Sequence, residues 1–307
     1  MAHKILIGGT AYEVKGGKCL VNGTAYSIKK GRTLINGTGE DIVFSSVSPI
    51  LDENDWTTIR EVSDASQGDN YWSVGDTKTI TINGKVGNTT FSNLSVDAFI
   101  LGFNHNASRE GSNRIHFQIG KINGTLVGLV DGNYGNNTSL TGAFNMNKSY
   151  TNTGGWNGSS MRKTLLGNSG TPTSPPSNSL LAALPSDLLA VMKAVTKYSD
   201  NTGGVSTTAS DVTSTTDYLF LLSEFEYHGA ITYANSAEKN YQAQYDYYRA
   251  GNSKVHYKHN ATGTAAYVWC RSVSSGGSGS FCRVATDGSA ANYPANRSYG
   301  VAPIFCV

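Results

Sequence analysis

The chain has 307 residues, of which 15% are charged, with a formal net charge of +2. That balance leaves neither a basic footprint for nucleic acid nor an acidic counterpart, so no nucleic-acid partner is expected. Gly, Asn, Ser and Thr supply 126 residues, types that favour turns and caps over helix interiors and so disfavour a helix-rich fold.

A hydrophobic content of 38%, with 17 Tyr and 10 Phe, is enough to fill a core, which argues against disorder. No run of 18 apolar residues is present, so no membrane insertion is expected. The opening Met1–Thr10 lacks the apolar region of a secretory signal. The protein is therefore expected to stay where it is made, or to leave by lysis or a dedicated machine.

Residues 4–43 carry an internal repeat. Gly9-Thr10-Ala11-Tyr12 returns as Gly23-Thr24-Ala25-Tyr26, with Gly37-Thr38-Gly39 a further 14 residues on. Apolar lead-ins alternate with Gly8-Gly9, Asn22-Gly23 and Asn36-Gly37 at one corner, and with Gly16-Gly17 and Lys30-Gly31 at the other. Asn-Gly between β-prone runs is a strong hairpin signal, so a small ladder of hairpins is predicted. About 40 residues rarely bury a core alone, so residues 1–46 are expected to attach or oligomerise the protein.

After the hinge at Ser45–Pro49 the pattern changes. Short strands are predicted at Trp56–Ile59, Tyr71–Asp76, Lys78–Val86 with an Asn83-Gly84 turn, Ile115–Ile119 and Thr125–Val130. Two helices are predicted. Ser159–Leu166 ends at Gly167, and Leu180–Tyr198 carries the only long helical period, with Ser186 able to cap it. Tyr218–Ser223 is a continuous apolar run, hence a buried strand. The tail holds strands at Tyr267–Cys270, Phe281–Val284 and Val301–Val307, separated by polar loops at 274–280 and 289–299.

Four cysteines lack metal-knuckle spacing and are too few for a disulfide framework. Cys270, Cys282 and Cys306 have apolar neighbours and read as buried small hydrophobes, with one disulfide as the alternative. His256 and His259 flank Lys258 without a second cluster, so no metal site is assigned. The Tyr241, Tyr245, Tyr247, Tyr248 group reads equally as core or as a binding platform.

The run Trp269-Cys270-Arg271-Ser272, then Phe281-Cys282-Arg283-Val284, Asp287-Gly288 and Gly300–Cys306, resembles the ending of a bacterial and phage surface domain family. Upstream, Trp72–Asp76, Gly155-Trp156 with Ser160–Arg162, Leu184–Leu188 and Phe220–Glu224 agree with it in order, covering about residues 50–307. Cys270 departs from the aromatic or Leu that is usual there. The resemblance implies a C-type-lectin-like, formylglycine-generating-enzyme-like fold, as in phage tail proteins and variable proteins of diversity-generating retroelements. The fold expected is thus α+β: a β-rich lectin-like domain over 47–307 with about two helices, preceded by the all-β hairpin repeat of 1–46.

Adenine mutagenesis by such elements cannot yield Lys, Met, Gln, Glu or Trp. None of these occurs from Cys270 to Val307, although together they number 35 in the chain. The resemblance therefore implies a hypervariable C-terminal face. The binding residues expected are Ser274, Ser275, Ser278, Arg283, Ala285, Ser289, Ala291, Asn292, Tyr293, Asn296, Arg297 and Tyr299, with rigid aromatic and Arg anchors among adaptable polar neighbours.

Arg271 and Arg283 are the only visible partners that could lower a thiol pKa, so no catalytic residue, no cofactor and no enzyme activity are expected. The function expected is a phage tail fibre or baseplate receptor-binding protein or adhesin. Its partners would be a host cell-surface protein or glycan, and other virion tail proteins through residues 1–46, in a homo-oligomer taken as a trimer by analogy with fibres. The location would be the virion, assembled in the bacterial cytoplasm. The competing reading is a purely structural decoration or baseplate protein.

Overall fold

The computed structural model describes residues 47–307 in full and, within 1–46, the backbone of six strands without side chains. The chain divides into two compact units, Met1–Asn54 and Asp55–Val307, whereas the sequence placed the boundary after residue 46.

In the first unit, β1 (Lys4–Ile7) pairs β2 (Thr10–Glu13), β3 (Lys18–Val21) pairs β4 (Thr24–Ser27), and β5 (Lys30–Ile35) pairs β6 (Thr38–Val43), all antiparallel. The partners Ile5↔Tyr12, Cys19↔Tyr26 and Thr33↔Glu40 reproduce the sequence repeat. Each hairpin is a two-stranded sheet. Lys30 and Gly31, read as a corner, belong to β5 and face Val43 and Ile42. The corners at 8–9, 16–17, 22–23 and 36–37 and the Cys19 side chain lie outside the described residues. The segment 48–54 closes on itself because the Asn54 amide donates to the Ser48, Ile50 and Leu51 carbonyls while its oxygen accepts the Ser48 N–H.

The second unit is mixed α/β and β-rich, with 12 strands in three sheets and only short helices. Trp56–Ile59, expected as a strand, begins helix α1 (Trp56–Asp64). The Asp55 carboxylate caps it by accepting the Thr58 N–H at 2.7 Å, satisfying a donor that the first turn otherwise leaves unpaired. Likewise Tyr71 ends a single turn, α2 (Gly68–Tyr71), and Ser73–Asp76 is a tight bend in which the Ser73 N–H meets the Asp76 carboxylate.

A long hairpin follows, β7 (Thr77–Val86) and β8 (Thr89–Phe103). Its turn is Gly87-Asn88 rather than the expected Asn83-Gly84, where the register instead shifts. Gly87 has φ +55°, and a Cβ there would come within 2.0 Å of the Gly142 carbonyl oxygen, so only glycine fits. After α3 (Ala107–Glu110), β9 (Ile115–Ile122) pairs β8 along one edge. Its other edge is shared by β10 (Thr125–Gly128) and, at the chain's end, by β18 (Ile304–Cys306). With β13 (His256–Lys258) and β14 (Ala261–Ala266) the large sheet has seven strands. Trp56 packs edge-on against Phe117 of β9 and Phe305 of β18, at 5.4 and 5.7 Å.

The long helix expected over 180–198 is absent. Pro185 forces Leu184 into extended backbone, leaving two single turns, α5 (Leu180–Ala183) and α6 (Ser186–Leu189), after α4 (Gly155–Gly158). Its C-terminal part is strand β11 (Val195–Asp200), paired with β12 (Val212–Asp217), as suits a stretch with β-branched Val195 and Thr196. Met161–Leu165 is a wide turn closed from Leu166 N–H to the Met161 carbonyl, and Gly167 ends it at φ +96°. The apolar run 218–223, expected as a buried strand, is not one: it bends at Tyr218 and Leu219, Tyr218 is partly exposed, and a single bridge joins Phe220 to Ile304. Helices α7 (Glu224–His228) and α8 (Asp246–Arg249) precede the third sheet, β15 (Val268–Val273), β16 (Ser280–Val284) and β17 (Ala290–Pro294). Among the described residues no helix is long and apolar enough to cross a membrane.

Candidate functional site

Sheet β15–β16–β17 carries most of the residues expected to bind. Trp269 lies opposite Arg283, and Tyr293 lies opposite Phe281. The period-two alternation of strands thus sets Trp269, Arg283 and Tyr293 on one face, with Arg283 and Tyr293 diagonal neighbours within reach of long side chains.

The segment after β17 adds Tyr299. It is not the free polar loop expected, because neighbouring backbone pins it. Ala295 N–H donates to Gly279, Gly135 N–H to Ser298, Thr138 N–H to Asn296, and Tyr299 N–H to Phe144. The Ser298 hydroxyl donates to Asp131 at 2.6 Å.

At the centre stands Arg283. Its guanidinium carbon lies 3.8, 4.4 and 4.6 Å from the ring centroids of Tyr267, Tyr293 and Tyr299. Arg297 lies 5.3 Å from Tyr293, donates from Nη1 to Asn137 Oδ1 at 3.2 Å, and hydrogen-bonds Tyr299. Tyr134 packs edge-on to Tyr299 at 5.8 Å and carries Lys258 at 4.4 Å. Burial raises the Tyr299 and Tyr134 hydroxyls above their usual pKa, with Arg283 opposing in both cases.

Arg283 is 8% exposed, and its Nε and Nη1 have no hydrogen-bond partner among the described residues. Three ring contacts, each worth ~0.5–2 kcal/mol, offset the cost of burying the charge. Nε and Nη1 remain unanswered beside these rings.

The remaining expected residues divide. Asn292 donates to the hydroxyl of Ser274, which is wholly buried and so presents no surface. Tyr299, 3% exposed, and Arg283 are also interior, correcting the expectation that they lie on an open face. Ala291, Asn292, Tyr293, Asn296 and Arg297 are partly exposed. Ser275 turns back to the Tyr233 carbonyl, and Ser278 is exposed on the loop tied to Asn152. Ala285 and Ser289 flank the β16–β17 turn, where Ser289 closes on Asp287. Tyr134, Tyr267 and Lys258 were not legible as partners. The one local sign was an arginine placed between apolar positions on a short strand.

A second charged group lies in the core. Lys197 Nζ sits 2.7 Å from Glu110 Oε1 and 2.6 Å from Glu226 Oε1, and Arg271 grips Glu226 with both terminal nitrogens. Burial would raise the Glu226 carboxyl, but Arg271 and Lys197 hold it well below its usual range. Glu110 is pushed up to about 7 by burial, and His105 is pushed down to about 3 by burial and the Lys197 charge.

His105, Glu110 and Glu226 have ligand atoms within 4.8 Å of one another and could hold a metal ion. The Lys197 ammonium already bridges both carboxylates, so a metal would have to displace a fixed cation. His256 and His259 serve separate partners: Gln118 and the Lys254 carbonyl for the first, the Val130 N–H for the second. Cys270, Cys282 and Cys306 are free and buried, their thiols raised by burial, which answers the disulfide alternative for these three. Of the tyrosine group, Tyr245 and Tyr248 are core, Tyr241 stacks on Tyr198, and Tyr247 packs on Phe99.

The fold and site define a β-rich α/β domain with an arginine caged by tyrosines on its C-terminal sheet. The chain belongs to the family described as a domain of unknown function (DUF6273), which matches residues 134–307 and so takes in every tyrosine and arginine of the cage. No curated protein and no solved structure matches the chain.

Proposed function

We propose that residues 55–307 form a non-catalytic recognition domain of C-type-lectin-like type, acting in a receptor-binding or adhesin protein of a phage tail. The observation that carries this reading is the Arg283 cage: a buried guanidinium with two unanswered N–H donors, lying under the partly exposed Tyr293 and Arg297. Aromatic and Arg anchors of this kind dominate the energetics of recognition surfaces. The groups that catalysis would call on favour binding instead. The thiols are buried and poorly ionised, and the His105–Glu110–Glu226 group is neutralised internally by Lys197 and Arg271. Residues 1–46 would attach the domain to other tail proteins as a trimer, so that weak single sites act together on a host cell-surface protein or glycan.

The test is adsorption of the purified protein to a panel of bacterial cells. Tyr293→Ala and Arg297→Ala should each weaken adsorption by at least about tenfold, the loss of one anchor, while the protein stays folded, Tyr293→Ala lowering the unfolding midpoint by only a few degrees for the lost ring contact with Arg283. Undiminished adsorption by both variants refutes the site. Replacing the whole of 289–299 is unsuitable, because Ala295, Ser298 and Tyr299 are core residues.

A further inference from the structure

We infer that the Arg283 cage takes a carboxylate-bearing sugar, of the uronic or sialic acid class. This rests on the recognition reading above and names its ligand.

The donors come first. Arg283 Nε and Nη1 are buried without a partner, and no carboxylate of the described residues pairs with the side chain. Arg297 Nε is buried and unpartnered beside the same Tyr293. A guanidinium presents two planar forks, Nε with Nη2 and Nη1 with Nη2, each matching the two oxygens of a carboxylate and each containing one of these unpartnered nitrogens. Most other buried charges in this domain are answered within the protein; Lys197, Arg271 and Arg162 all have carboxylate partners. The cage has cations and no anion.

The surroundings narrow the class. From Cys270 to the end the only acidic residue is Asp287, which accepts from its neighbour Ser289. Asp131, which meets this segment at Ser298, is taken up by that hydroxyl and by the Asn133 and Phe144 N–H groups, so Arg283, Arg297 and Lys258 make a small positive site among the tyrosines. Three cations are too few for a nucleic-acid backbone, which needs a stripe of them. The rim is Tyr293 with Asn296 in the segment that follows its strand, both partly exposed. An aromatic face and a neutral amide suit a ring bearing hydroxyls, and the guanidinium suits its acid group. Tyr267 and Tyr293 are the two partly exposed rings over Arg283, so a ligand reaches the guanidinium only as these side chains move.

The probes are methyl glucuronide and N-acetylneuraminate, with methyl glucoside, glucuronamide and inorganic sulfate as controls. The readout is the arginine Nε–H signals of the full-length, isotope-labelled protein, together with competition against cell adsorption. The acid sugars should shift the Arg283 Nε–H signal saturably with Kd ~1–10 mM, as a shallow single site allows. The glucoside and glucuronamide should leave it unmoved, and Arg283→Lys should weaken acid binding at least tenfold. The probe comparison on the unaltered chain keeps the test independent of any effect of that substitution on folding. An unmoved signal overturns the inference, as does equal binding of the neutral sugars or of sulfate. Cells that adsorb without competition from the acids leave the recognition reading standing and remove this ligand class. Acid binding without adsorption to any cell does the reverse.

Discussion

Replacing Glu238 by Gln isolates one buried carboxyl. Glu238 accepts the Asp200 N–H at 2.9 Å, with Ser272 Oγ at 2.6 Å and Gln242 Nε2 at 3.2 Å. Burial pushes its pKa up to about 7 from 4.5, against the opposing pull of those hydrogen bonds and of Arg271. The folded state therefore holds this proton more tightly than the unfolded chain. The stability it contributes is complete below the unfolded value near pH 4.5 and is lost as the pH rises through about 7. Each pH unit inside that window removes up to ~1.4 kcal/mol, so the loss is on the order of 3 kcal/mol.

Glu238→Gln keeps the shape and the acceptor for the Asp200 N–H while abolishing the titration. Urea unfolding of both proteins at pH 5, 6.5 and 8 reads the difference, and both share Glu110, which titrates in the same range. The variant should gain on the parent by about 2–3 kcal/mol between the two extremes. Parallel pH profiles would show that the Glu238 carboxyl is ionised in the folded protein, and the reasoning would fail.

Two further predictions follow from the buried groups. Lys197→Met leaves Glu226 on Arg271 alone and strips Glu110 of its lysine partner, so unfolding in urea at pH 8 should show a loss of about 3–5 kcal/mol, and a loss under about 1 kcal/mol would mean that the carboxylates find water. In a Cys19→Ser background, Cys270, Cys282 and Cys306 should resist a thiol reagent at pH 8 until denaturant is added, since all three are buried with raised pKa values. Reaction of the folded protein within seconds would place at least one thiol at the surface.

Local chemistry made part of this protein legible. The 14-residue repeat of 4–43, with two residues between paired strands, emerges as three antiparallel hairpins, because a hairpin depends on near neighbours alone. The tail strands at 268–273, 280–284 and 304–306 follow from apolar runs bounded by Gly and Ser. The Gly167 cap and the buried state of the three C-terminal cysteines were legible for the same reason.

Other elements turned on competition that a window of sequence does not weigh. Leu180–Tyr198 has helical periodicity, yet Pro185 interrupts it, and pairing with β12 draws Val195–Asp200 into a strand. Trp56–Ile59 looks β-prone, but the Asp55 cap and contacts with Phe117 and Phe305 select a helix.

The charged core and the cage are further from reach. Lys197 joins Glu110 and Glu226, and Arg283 joins Tyr267, Tyr293 and Tyr299, across segments distant in the chain. The sequence by itself determined that this protein would be β-rich, low in charge and rich in Tyr and Arg near its end. Only the tertiary structure decided that one of those arginines is buried with donors to spare, because hydrogen-bond satisfaction depends on every segment that closes around a side chain.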